Sequence, residues 1–172
     1  MRRVAVLVSV FALVVAGCAS ATEGITEQII EQSSGGEADV DLDLDSGQVS
    51  VETEDGSISI GGGDIPDGFP VPFPDGGDVQ STFTSDDAAA VSVAYARDRY
   101  DELVGYYENW VAGQPGEWST SSFTNDDGSG GVIRGSSWWQ GSDISIGVTD
   151  CFTVGGDGDG LNGACVSVNT QS

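Results

Sequence analysis

Three cysteines and 28 carboxylates carry nearly all the chemistry this 172-residue sequence offers. A thiolate is a nucleophile, a metal ligand and one half of a disulfide. Cys18 stands directly after two small residues, Ala16 and Gly17, where backbone access and a nucleophilic sulfur coincide. Cys151 and Cys165 remain as an even pair, read as a disulfide made in an oxidising compartment. Two of the many carboxylates would suffice for glycan hydrolysis. Most, however, fall in turns or on polar strand faces with no pocket pattern around them, so no catalytic residue is assigned and the chain is not read as an enzyme. With no His in the chain, Ser–His and Cys–His catalysis is excluded and the commonest transition-metal ligand is missing. No cofactor is expected.

The first eighteen residues organise the rest. Arg2 and Arg3 precede residues 4–16, a run of 13 without charge (VAVLVSVFALVVA). A membrane-spanning helix needs about 20 apolar residues, so this run reads as a secretory signal. Val15-Ala16-Gly17-Cys18 resembles the lipobox of bacterial lipoproteins. The resemblance implies that the Cys18 thiol receives a diacylglyceryl group, that the signal peptide (residues 1–17) is removed, and that the new amino terminus is acylated in turn, for instance by palmitate. The alternative is an ordinary signal peptide followed by a chance cysteine. Two or three acyl chains, at about 0.8 kcal/mol per buried methylene, make a stable anchor.

Without residues 1–17 the chain keeps Arg97, Arg99 and Arg134 against 28 acids, a side-chain charge of −25, with no Lys. Such a surface repels nucleic acid and anionic headgroups. It leaves cations, neutral glycans or basic proteins as partners, or simply a well-solvated exterior.

The punctuation divides the chain into four regions. Residues 1–17 are the signal. Residues 18–60 hold a tether, a short helix with Ile25, Ile29 and Ile30 on one face, and a strand meander. Alternation over 40–60, broken at Ser46-Gly47 and Asp55-Gly56, predicts three strands. Val40, Leu42, Leu44, Val49, Val51, Ile58 and Ile60 share one face, with Val51 opposite Ile60. Asp41, Asp43, Asp45, Gln48, Ser50, Glu52 and Glu54 share the other. The acids echo a calcium loop, but Ser46 stands where its sharp turn needs Gly, so they read as an acidic solvent face and no metal site is assigned. Residues 61–77, with four of the five prolines, read as a semi-rigid linker in which Phe69, Val71 and Phe73 are available to pack on the domain after it.

Residues 78–172 read as an α+β domain. Strands are expected at 79–83, 89–95, 118–123, 132–139, 143–152 and 164–169. One helix, capped by Asp98, buries Tyr100, Leu103, Tyr107, Trp110 and Val111 and stops at Gly113 and Pro115. A hairpin at Gln140-Gly141 pairs Trp139 with Ser142. That register turns Trp139 inward with Ile144, Ile146 and Val148, and turns Trp138 outward beside Arg134. A hairpin centred on 157–160 sets Cys151 opposite Cys165. The fold class expected is therefore α+β: a small helix and three-stranded antiparallel meander, then an antiparallel sheet packed by one helix.

The layout resembles small acidic envelope lipoproteins of actinobacterial type. It implies a place at the cell membrane, lipid-anchored and facing outside the cytoplasm, and transfers no activity. The expected function is a non-catalytic binding or interaction module of the envelope. Its candidate binding face is Trp138, Arg134 and Trp118, offered to an envelope protein or glycan. The competing readings are an envelope spacer, a carboxylate-dependent glycan hydrolase, and, for Trp138 itself, burial under the linker or meander.

Overall fold

Among the described residues, alternating side chains and short polar turns give nine strands, and a computed structural model places all of them in a single antiparallel sheet. The structure describes residues 39–43, 48–126, 131–152 and 161–171. The strands are β1 (Asp39–Asp43), β2 (Gln48–Thr53), β3 (Gly56–Ile60), β4 (Asp78–Ser85), β5 (Ala88–Ala96), β6 (Ser119–Asp126), β7 (Val132–Gln140), β8 (Ile144–Cys151) and β9 (Gly163–Gln171). Their order across the sheet is β1-β2-β3-β4-β5-β9-β8-β7-β6. A turn of 3₁₀ helix (Arg97–Arg99) leads from β5 into the helix α1 (Tyr100–Ala112).

This overturns the α+β expectation of a meander followed by a separate helix-packed sheet. The fold is largely β, because β3 pairs directly with β4 and makes the meander part of the one sheet. Residues 61–77 leave β3 and return to β4, with Ile60 opposite Ser81. Between those points they strap the core. Val71 is 1% exposed, and Phe69 and Phe73 pack against the core cluster. The strap's carbonyls are tied down by Tyr107 Oη donating to Pro72 O at 3.1 Å and Tyr95 Oη donating to Pro74 O at 2.9 Å. Gly77 is required at its end, since a Cβ there would overlap Val93 and Tyr95.

One face of the sheet is covered by α1 and the strap. Tyr100, Leu103, Tyr107 and Val111 of α1 are buried there, on the expected stripe. They meet Val91, Val93 and Tyr95 of β5, Ala164, Val166 and Val168 of β9, Ile146 and Val148 of β8, and Trp138 of β7. Asp98 does not cap α1. Its N-cap is Arg99, without a side-chain cap bond, because the chain enters through the 3₁₀ turn.

Register is where the turns decide. In β2–β3 the loop residues are Glu54 and Asp55, so Val51 faces Ile58 and Val49 faces Ile60, two residues from the expected pairing. An even displacement keeps the faces as read. Gly56 opens β3 rather than completing the turn; its φ is +154°, and a Cβ would run into the β4 backbone at Thr84. In β7–β8 the loop is three residues, Gly141 to Asp143, with Gly141 at φ +55° and Asp143 N donating to Gln140 O at 3.1 Å. Trp138 consequently faces Ile146 and Trp139 faces Ser145. This odd displacement exchanges the two tryptophans between faces. In β4 the register shifts between Val79 and Ser81, leaving Gln80 as an extra residue. The bulge sends Val79 to the core and Phe83 to the other face.

Candidate functional site

The expected binding face of Trp138, Arg134 and Trp118 is not a free surface. Trp138 is 4% exposed, tilted against Tyr107 at 6.2 Å between ring centroids. Trp118 is partly buried and meets Trp110 edge-on at 5.8 Å; its Nε1 has no hydrogen-bond partner among the described residues. Arg134 does share a face with Trp138, but that face lies under α1.

There Arg134 belongs to an ionic knot. Residues 144, 146, 148 and 150 of β8 point toward the core by simple alternation, so the last of them, Asp150, arrives with no side-chain exposure. Its Oδ2 accepts from Arg134 N at 2.8 Å and Nε at 3.0 Å, and its Oδ1 from Arg134 Nη2 at 3.0 Å and Arg97 Nε at 3.2 Å. Arg97 also donates to Val132 O at 2.6 Å. The Arg134 guanidinium lies 4.0 Å over the Tyr100 ring, whose hydroxyl meets Ser136 Oγ at 3.2 Å. Burial would raise the Asp150 pKa, but the bonds from Arg134 and Arg97 outweigh it and hold the carboxyl below its ordinary range. A carboxylate kept ionised and saturated by donors neither gives nor takes a proton. This knot clamps the β5–α1 junction to the sheet and has no catalytic geometry.

The third arginine is likewise structural. Arg99 forms a two-bond pair with Glu102 (3.1 and 2.6 Å), donates to Asp75 O of the strap at 2.8 Å, and stands 5.0 Å over Tyr95. Burial pushes the Tyr95 hydroxyl up to about 12.

The disulfide is present. Cys151 and Cys165 are bonded with Cα atoms 5.7 Å apart. They are diagonal rather than opposite, since Cys151 pairs with Gly163 and Cys165 with Thr149. Both lie on the face away from α1.

That open face has one property the sequence reading missed. Its positions, followed through the ladder, are Val49, Val51 and Thr53; Ile58 and Ile60; Ser81, Phe83 and Ser85; and the even residues of β5 from Ala88 to Ala96. They continue with the odd residues of β9, then Ser145, Gly147, Thr149 and Cys151, then Ile133, Gly135, Ser137 and Trp139, and finally the odd residues of β6 from Ser119 to Asn125. No Asp, Glu, Lys or Arg stands at any of these positions; the register adds one charged residue to the face, Asp78, opposite Ala94 at the start of β4. The acids of β2–β3 and of the turns sit at its margins or behind it, as Glu52, Asp55, Asp86 and Asp143 do. At one end the face is aliphatic, with Val49, Val51, Ile58, Ile60 and Phe83 partly buried yet outside the core cluster. At the other end Trp139 and Phe123 are exposed, the Phe123 ring lying over Gly135. Between them runs a row of small polar residues, Ser81, Ser92, Ser167, Gly147, Ser137 and Ser121, one per strand. Only the alternation of every second residue, taken across all strands at once, signals such a face in sequence.

A shallow depression at the β2–β3 tip is lined by Glu52, Glu54, Asp55 and Asp86 with Ser57 and Thr84. Among the described residues no three acids or cysteines are grouped to hold a metal, and no helix is long and apolar enough to cross a membrane. Cys18, the 24–32 segment, the Ser46-Gly47 turn with Leu44 and Asp45, and the 157–160 loop lie outside the described residues. No family model, curated protein or solved structure matches this chain.

Proposed function

We propose that this chain is an extracytoplasmic protein held at the cell membrane by lipid on Cys18, acting as a non-catalytic interaction module of the envelope. The observation that carries the reading is the run Val15-Ala16-Gly17-Cys18 behind a basic start and 13 uncharged residues. The disulfide supports an oxidising compartment. The open face, with Asp78 as its one charge from β2 to β9, supports interaction over a bare spacer role, because a spacer has no use for a nearly uncharged platform on so acidic a body. The saturation of Asp150 weighs against carboxylate catalysis, which needs an acid with a raised pKa. Replacing Cys18 by Ser in the full chain tests the anchor. The variant is expected to leave the membrane fraction and to retain residues 1–17. Membrane partitioning of a cleaved Cys18→Ser chain would overturn the reading.

A further inference from the structure

A β-sheet with an apolar face needs something against that face. Here α1 and the strap cover one side, while Val51, Ile58 and Phe83 on the other side belong to no core of the described residues. Carboxylates are the most abundant ionisable groups in the chain, and a solvated strand face is where they cost least. Their near absence from the open face of β2 to β9, where Asp78 at the start of β4 is the one carboxylate, in a chain of net charge −23, marks a surface that meets something other than water.

The occupant must itself be uncharged and partly aliphatic. A neutral glycan stacks on flat aromatic rings and gains little from branched Val and Ile side chains. A second copy of this chain meets both requirements. Two bodies of such charge repel over the rest of their surfaces, and this face is where they approach with the fewest opposing carboxylates. Its size is also sufficient. Eight strands, β2 to β9, at a spacing of ~4.8 Å, each giving about six residues at ~3.3 Å, present roughly 750 Å² per partner, close to the area of a standard stable interface. The central row of Ser and Gly lets two sheets come close, and acidic turns form a solvated rim.

We propose that two copies pair face to face through this open side of the sheet, building a sandwich between them. The proposal rests on the reading of the face as an interaction surface and is independent of the lipid anchor. β5 is the middle strand of nine and Ser92 its middle residue, so a two-fold pairing brings the two Ser92 positions close to the axis.

The test uses two full-length copies with different carboxyl-terminal tags, co-expressed in a bacterial membrane and extracted in mild detergent. Capture of one tag is expected to retain the other. Ser92→Asp in both copies should lower that retention at least tenfold, and pairing a Ser92→Asp copy with a Ser92→Lys copy should restore it. Trp139→Glu, at an exposed position that the fold does not need, should lower it as well. The proposal is overturned if wild-type copies do not co-purify, if retention survives both Ser92→Asp and Trp139→Glu, or if the Asp–Lys pair recovers nothing. Retention of the chain on an insoluble neutral glucan without a second copy also overturns it, while leaving the face as an interaction surface.

Discussion

From β5 to β8 the covered side of the sheet carries Val91, Val93, Val166, Val168, Ile146 and Val148, each at 2% exposure or less. The same strands present Ala90, Ser92, Ser167, Asn169, Ser145 and Gly147 to the open side. Burying a Val or Ile side chain contributes about 1.5–3 kcal/mol, so the covered side holds the fold together. Over β5, β9 and β8 both sides exclude charge, with one exception. There the covered side admits Asp150 because arginines satisfy its oxygens, whereas the open side of the same three strands, where water would readily solvate a carboxylate, carries none. Exclusion from a buried core follows from desolvation within the chain. Exclusion from an open face points to desolvation by something outside it.

The neighbours Trp138 and Trp139 give the sharpest contrast. Trp138→Ala is expected to cost about 3–5 kcal/mol by leaving a cavity under α1, whereas Trp139→Ala should change the stability of a single copy by less than about 1 kcal/mol. Thermal or denaturant unfolding measures both, and equal losses would erase the distinction between the faces.

Next in size is the disulfide. Replacing Cys151 and Cys165 together by Ser opens a loop closed over a separation of 14 residues and should cost about 3 kcal/mol. Unfolding of wild-type protein with and without reductant should reproduce the difference.

Asp150→Asn tests the charged exception and should cost about 2 kcal/mol. That is below the loss for a fully buried pair, because Arg97 and Arg134 are each about a third exposed. Since the folded pKa lies below the unfolded one, the aspartate's contribution is complete above the ordinary carboxylate range and is lost as pH falls from there through the lowered folded value. The stability gap between wild type and Asp150→Asn should therefore close below about pH 4.

The smallest effect is at the strap. Tyr95→Phe removes one hydrogen bond to Pro74 and should cost about 1 kcal/mol. With its hydroxyl pushed up to about 12, Tyr95 stabilises fully below pH 10 and progressively less as pH rises through 12. The variant should show a smaller alkaline loss of melting temperature, part of which persists through Tyr107, raised by burial in the same direction.

Much of the fold was legible because it is local. Alternation located the strands, a stripe at helical spacing located α1 and its buried Tyr100, Leu103, Tyr107 and Val111, and the even pair Cys151 and Cys165 closed as expected. The candidate site was less legible. Asp150 carried a usable signal, as the fourth member of the alternating set Ile144, Ile146, Val148, but a lone acid on an apolar face declares nothing until Arg134 and Arg97 are seen beside it.

Local order along the chain dictates the period of each element, the thiols able to pair, the excess of acid, and the run before Cys18 that motivates an anchor. Which face each period presents was left to the pairing of distant strands. One loop residue more than a two-residue turn at 141–143 moved Trp138 inward, and one extra residue at Gln80 turned Phe83 outward. Pairing of β3 with β4 across the strap merged the meander into the main sheet. In strands the side-chain period is two, so a single inserted residue reverses a face while leaving the local pattern unchanged, and only long-range pairing resolves it.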